Sequence, residues 1–112
     1  MNIQIYYVKK NPNVLKIERY LKERKLKYQL LDLNKHKLGK KELLIFVNAY
    51  SAKELVDRSN KKNLELPVAH MSTEALIIDA LLENPKALIS PIVRNGNKVM
   101  LGFDEKILAS WL

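Results

Sequence analysis

The residues best placed to do chemistry lie in a short basic segment, Lys9-Lys10-Asn11, directly before a predicted helix. Asn11 suits the N-cap position, because its side-chain oxygen can accept a hydrogen bond from the free amides of the first turn. Pro12 suits the first helical position, where its missing N–H costs nothing. Lysines beside a helix N-terminus favour an anion, so Lys9, Lys10 and Asn11 are candidate binding residues. An ordinary solvated loop with a helix cap would use the same residues.

Other reactive side chains are few. The 112 residues contain no cysteine, so the chain has no thiolate nucleophile, no disulfide and no sulfur-rich metal site. His36 and His70 are far apart, and neither has a second His or a carboxylate at ligand spacing, so we expect no metal site. The pair Asp104-Glu105 is typical of a first helical turn. No glycine loop that could cradle a phosphate is present, and we expect no cofactor.

The charge is unevenly distributed along the chain. Residues 1–62 carry a net charge of +10 and residues 63–112 carry −2, which together give the total of +8. Such asymmetry favours an acidic partner, whether nucleic acid, an anionic surface or an acidic protein. Lys16, Arg19 and Lys22 are the candidates for a basic patch on the first helix. A lysine-rich solvated face is the alternative.

The spacing of hydrophobic residues and the enrichment of β-branched and aromatic residues predict the helices and strands that position these residues. Val14, Ile17 and Leu21 recur at helical spacing and form the buried stripe of the first helix, opposite Lys16 and Arg19. The predicted elements are strands at 2–8 and 28–33, helices from 12 to about 24 and at about 40–49, 51–59 and 72–83, a hairpin of 92–94 with 98–101, and a last helix after Asp104.

Local signals support several of these boundaries. Ser51 and Glu54 fit a capping box, and Ser72 suits the N-cap of the next helix. Asn95-Gly96 is a strong hairpin signal, because both residues tolerate a positive φ. The connection from first strand through helix to second strand predicts a parallel, right-handed crossover. The element order is therefore βαβ, a helical insert, then ββα.

The most specific stretch is Pro91-Ile92-Val93, followed by the Asn95-Gly96 hairpin and Gly102-Phe103. Together with the strand, loop and helix at the start, it resembles the arsenate reductase-like (ArsC/Spx) branch of the thioredoxin fold. The resemblance covers the whole chain. It implies an α/β thioredoxin-like fold: a four-stranded mixed sheet with flanking helices, in a single domain (1–112) with a helical insert at about 34–88.

In that family a catalytic cysteine ends the first loop, where a helix N-terminus stabilises its thiolate. Asn11 occupies this position here, so the resemblance implies no catalytic residue. An arginine that helps hold an oxyanion precedes a cis proline in the family; this chain keeps Pro91 but has Ser90 in place of the arginine. Arg58 matches a basic residue of the family's helical insert. The binding candidates are therefore Asn11, Arg58, Ser90, Pro91, Lys9 and Lys10.

These substitutions favour a redox-inactive protein-interaction or regulatory module. The alternatives are an oxidoreductase that uses a partner's thiol, and an Spx-like regulator that binds the carboxyl-terminal domain of the RNA polymerase α-subunit. Tyr50, where the Spx pattern has a glycine, would crowd that docking surface. Nucleic acid is a weaker partner, since the lysines lack interleaved aromatics. No secretion signal or apolar run of roughly 18 residues is present, so we expect a cytoplasmic protein without a membrane segment.

Overall fold

The computed structural model describes residues 2–59 and 66–112, which form a four-stranded mixed sheet with helices on both faces. The strands are β1 (Ile3–Tyr7), β2 (Tyr28–Asp32), β3 (Ile92–Asn95) and β4 (Lys98–Leu101). The α-helices are α1 (Pro12–Glu23), α2 (Lys40–Ala49), α3 (Glu74–Glu83) and α4 (Glu105–Ser110). Short 3-10 turns cover Lys53–Leu55, Pro67–His70 and Pro85–Ala87.

The strand order in the sheet is β2-β1-β3-β4, with β1 parallel to β2 and antiparallel to β3. The predicted mixed sheet and its parallel β1–β2 pair are confirmed. Tyr7 pairs with Asp32 at the last position of the parallel register, so the loops that follow these two strands leave the same edge of the sheet.

Alternation along β1 divides the core into two layers. Ile3 and Ile5 face α1 and α4, where they pack with Ile17, Leu21 and other apolar side chains. Tyr6 points to the other face and packs beneath α2 and α3. The second layer also holds the largest buried side chains of those helices: Leu43, Phe46, Ile77 and Leu81.

Helix α1 ends as its sequence predicts, near Arg24-Lys25. Lys25 has a φ of +57°, a left-handed conformation in which glycine is usual, and its N–H donates to the carbonyl of Lys22. The N–H of Leu26 donates to the carbonyl of Leu21. These two bonds form a Schellman motif that turns the chain toward β2.

The predicted helix at 51–59 is wrong. The capping box of Ser51 and Glu54 is present, but it closes only the 3-10 turn Lys53–Leu55. Val56 then pairs with Leu88 in an antiparallel bridge, and the next N–H donates to the carbonyl of Ala87. Bonds to a distant segment therefore replace the helical ones, and Arg58 lies outside any helix.

Two smaller boundaries also differ from the prediction. Thr73, not Ser72, is the N-cap of α3, and its side chain makes no capping hydrogen bond. Asn95 belongs to β3 and pairs with Lys98, so Gly96 and the residue after it form the turn, with a φ of +64° at Gly96. No helix in the described ranges is long and apolar enough to cross a membrane.

Candidate functional site

A cleft of 470 Å³ opens at the carboxyl end of β1, beside the first turn of α1. The segments that border it come from the β1–α1 loop, from the stretch after the 3-10 turn Lys53–Leu55, and from the approach to β3. The lining residues relevant to function are Val8, Lys9, Asn11, Arg58, Lys86 and Ser90. Four of the six predicted binding residues thus lie together.

Asn11 is the N-cap of α1, as predicted, and its amide is used at both ends. Its Oδ1 accepts from the N–H of Val14 at 3.1 Å, and its Nδ2 donates to the carbonyl oxygen of Ser90 at 3.0 Å. The side chain therefore satisfies a free amide of the helix and ties the β1–α1 loop to the segment before β3. An amide held in this way has neither a nucleophilic atom nor an ionisable proton.

Ser90 ties the same two segments from the other side. Its Oγ accepts from the N–H of Val8 at 3.1 Å and lies 3.4 Å from the carbonyl oxygen of Lys9, to which it donates. The peptide bond between Ser90 and Pro91 is cis, as predicted, and Pro91 is buried rather than lining the cleft. We call the hydrogen bonds of Asn11 and Ser90 the loop clamp.

The open side of the cleft carries positive charge. Lys9, Arg58 and Lys86 are exposed at its border, where Asp57 is the one acidic lining residue among those described. An Arg58 guanidinium nitrogen donates to the carbonyl oxygen of Lys53 at 2.5 Å, which anchors one side of the guanidinium to the backbone. Three cations and one anion leave a net positive border suited to an anionic group.

The remaining predicted basic residues lie elsewhere. Lys10 forms an ion pair with Glu18 at 3.8 Å. Lys16, Arg19 and Lys22 are exposed on α1, opposite the buried stripe, and the shallow recesses that they line also contain acidic residues. Those acids are Glu18, Glu23 and Glu105.

Sequence reasoning missed a polar network under α2. The fully buried Tyr6 hydroxyl donates to a carboxylate oxygen of Glu42 at 2.5 Å and accepts from Nε of Arg94 at 3.0 Å. Nε2 of His36 lies 3.3 Å from both oxygens of Glu42, and the His36 and Tyr6 rings are 6.1 Å apart. No local sequence pattern indicates this network, because it depends on the β1–β3 register, which sets Arg94 opposite Gln4 and diagonal to Tyr6.

This network shifts two pKa values in opposite directions. Burial raises the pKa of Tyr6 to about 12, and the neighbouring Glu42 carboxylate adds to the rise. Burial alone would also raise the pKa of Glu42, but hydrogen bonds from Tyr6, from the N–H of Gly39 and from His36 hold it below its ordinary value. The pair is therefore a neutral phenol that donates to an ionised carboxylate.

Tyr6 is expected to titrate near pH 12, against an ordinary value of 10.0. Because folding raises this pKa, the associated stability is complete below pH 10.0 and is lost as the pH rises toward 12. Ultraviolet absorbance of tyrosinate measures the titration. Tyr6→Phe should remove the step near pH 12, which identifies it among the five tyrosines; an unchanged curve in that variant would contradict the assignment.

In the described part of the chain, no three His, Asp, Glu or Cys residues come together to hold a metal ion.

No protein-family profile matches this sequence, and no curated protein matches it. Solved structures do match. An arsenate reductase (ArsC) related protein from Brucella melitensis is 22% identical, with a TM-score of 0.70 over 99% of this chain and 94% of that one.

Two further structures agree with that result. An arsenate reductase from Vibrio cholerae is 21% identical, with a TM-score of 0.75 over 97% of both chains. A YffB protein is 19% identical, with a TM-score of 0.82 over 96% of both chains. At this level of identity the likeness shows the fold: the chain has the thioredoxin-like architecture of arsenate reductase-related structures, as predicted.

Proposed function

We propose that this chain is a cysteine-less member of the arsenate reductase-like family, that it carries out no redox chemistry, and that it acts in the cytoplasm as a protein-interaction or regulatory module. The observation that carries the proposal is the loop clamp. Asn11 stands at the loop-to-helix junction, and both ends of its amide are hydrogen-bonded within the protein.

Redox chemistry at this position needs a thiolate, which a helix N-terminus stabilises through its free amides and dipole. Asn11 uses the amide of Val14 for its own cap, so the feature that would activate a thiol here serves stability. The sequence offers no cysteine elsewhere as a substitute. An oxidoreductase of this architecture would depend on a thiol from a partner.

The cleft remains suited to binding even without a reaction. Ser90 replaces the family's arginine and uses its hydroxyl on the backbone of Val8 and Lys9. Lys9, Arg58 and Lys86 remain exposed at the border and supply positive charge. This combination of a fixed floor and a cationic border supports recognition of an anionic group on a partner.

One version of the proposal is disfavoured by the structure of α2. Tyr50, where the Spx pattern has a glycine, is the C-cap of α2 and its half-buried ring packs against the second core layer. Its hydroxyl lies 3.5 Å from the carbonyl oxygen of Val99. A bulky side chain held here alters the surface that RNA polymerase would contact, so we favour a different protein partner.

The purified protein is expected to show no reduction of arsenate or of disulfides, with or without glutathione and glutaredoxin. The reason is the clamped amide of Asn11 in place of a thiol. Coupled assays of NADPH consumption measure both reactions. Turnover that persists through two unrelated purification schemes would refute the redox-inactive part of the proposal.

Asn11→Cys is the informative control for that assay. If the loop still presents position 11 to the helix N-terminus, the new thiol should titrate below the free value of about 8.5. The ultraviolet absorbance of the thiolate measures this directly. An ordinary thiol pKa would mean that the β1–α1 loop does not present position 11 to the dipole of α1.

A further inference from the structure

Lys86 joins the cleft to a second recess. Besides bordering the cleft, it lines a groove of 450 Å³ that runs beside the loop after β2 and the end of α3. The groove is also lined by Lys35, His36 and Lys37 on one side and by Glu83 on the other.

The parallel strands explain why the two recesses adjoin. β1 and β2 end side by side, and the loops that follow them carry Lys9 and Lys35. Nδ2 of Asn34 donates to the carbonyl oxygen of Val8 at 2.9 Å, which holds the two loops together. Ligands of α/β sheets commonly bind outside the carboxyl ends of such strands.

Lys86 reaches this edge from the 3-10 turn Pro85–Ala87. Hydrogen bonds from Asn34 hold the pKa of Asp32 below its ordinary value, and the positive charges of Lys35 and Lys86 act in the same direction. Both lysines therefore lie near the end of β2. Lys86 lines both recesses, and we call the two together the basic groove, defined by Lys9, Lys35, Lys37, Arg58 and Lys86.

The composition of the basic groove indicates the chemistry of its occupant. Its five cations are exposed, whereas the acids that line the two recesses are Asp57 and Glu83. None of the described lining residues is Phe, Tyr or Trp, so the groove lacks the large aromatic side chains on which single-stranded nucleic acids usually stack. The recess lined by Lys35 and Lys37 is more polar than apolar, and both recesses have cationic borders, which suits an extended chain bearing several carboxylates.

We propose that the basic groove binds an extended acidic segment of a protein partner, with Lys86 contacting it at the junction of the two recesses. This inference rests on the proposed function and adds the chemistry of the partner to it. In an extended segment, side chains on one face recur about every 6.6 Å, so alternate acidic residues would face the groove. Complementary charge of this kind makes binding sensitive to salt.

Fluorescence anisotropy with a labelled peptide of about 12 residues, in which Glu and Ser alternate, tests the proposal. We expect the intact protein to bind this probe and not the matched Gln–Ser peptide, and to bind more weakly at roughly 200 mM than at 50 mM salt. Lys86→Glu should weaken binding about tenfold. Lys98→Glu changes the total charge equally but lies in the hairpin at the opposite end of β1, and should change affinity less than about twofold.

A pair of double variants separates the basic groove from the first helix. Lys35→Glu with Lys37→Glu should weaken binding, whereas Lys16→Glu with Arg19→Glu, which has the same total charge, should not. Equal losses from Lys86→Glu and Lys98→Glu, a larger loss from the α1 pair, or no binding of the Glu–Ser peptide would each overturn the proposal. Tighter, Lys86-dependent binding of a short duplex DNA would also overturn it, in favour of nucleic acid.

The two proposals can fail separately. Reductase turnover combined with Lys86-dependent peptide binding would refute the proposed function and leave the basic groove as the site for an acidic segment. Absence of both turnover and peptide binding would refute the groove alone. Equal capture of a protein partner by the intact protein and by Lys86→Glu would also refute the basic groove alone. Such a partner would bind the protein without using the basic groove. Circular dichroism of each variant confirms that it is folded.

Discussion

Asn11→Ala is expected to lower the free energy of unfolding by about 2 to 3 kcal/mol. The loss has two sources, because alanine removes both the helix cap and the donor to the Ser90 carbonyl. A missing cap costs about 1 kcal/mol, and a half-buried carbonyl left without its donor costs about 1 to 2 kcal/mol more. Urea unfolding followed by the fluorescence of the single tryptophan, Trp111, measures the change.

Two further variants test whether the loss of stability comes from the loop clamp. Asn48→Ala removes an exposed amide from α2 and should leave stability nearly unchanged. Asn11→Asp keeps an oxygen for the N-cap but loses the donor and sets a carboxylate against the Ser90 carbonyl. At neutral pH its free energy of unfolding should therefore lie between those of the native chain and of Asn11→Ala. If Asn11→Ala behaves like Asn48→Ala, the loop clamp does not contribute to folding.

Glu42→Gln is expected to destabilise the protein by about 2 kcal/mol near neutral pH, since a charged acceptor strengthens the bond to the buried Tyr6 hydroxyl. The same substitution should also make the free energy of unfolding depend less on pH in the acidic range. Folding lowers the pKa of Glu42 from its ordinary 4.5, so its contribution is complete above 4.5 and is lost as the pH falls through the lower, folded value. Urea unfolding at a series of pH values measures both effects.

Glu105 provides the matched control, because it is also an acid in the first turn of a helix but is exposed. Glu105→Gln should change stability by less than about 0.5 kcal/mol. A double-mutant cycle with Tyr6→Phe then isolates the coupling between Tyr6 and Glu42. A coupling near zero, or an acid profile that Glu42→Gln leaves unchanged, would contradict the network.

The elements that the sequence predicted correctly are those with strong local signals. The stripe of Val14, Ile17 and Leu21, with Asn11 and Pro12 at its start, specifies α1 by short-range spacing alone. The segment at 51–59 fails for the opposite reason. Its capping box is present, but the bridge between Val56 and Leu88 joins segments far apart in the chain. The local hydrophobic pattern of the sequence does not predict such a long-range bridge.

In the candidate site too, some residues could be identified from the sequence and others only from the folded structure. Position 11 and the residues around Pro91 could be identified because a family pattern fixes them in sequence. Lys86 could not, since it reaches the cleft from a 3-10 turn that only the folded chain brings beside β2. Tyr6 was predicted only to lie in the first strand, and its polar role depends on the positions of Glu42 and Arg94 after folding.

The position of β1 in the sheet has a consequence for synthesis. Its two neighbours are β2, which follows soon in the chain, and β3, whose Arg94 lies 88 positions after Tyr6. At ribosomal rates of roughly 5 to 20 residues per second, one edge of β1 remains unpaired for about 4 to 18 s after it is made. The N-terminal βαβ unit cannot complete its sheet during that time. A nascent chain stalled before residue 92 would present this edge to chaperones.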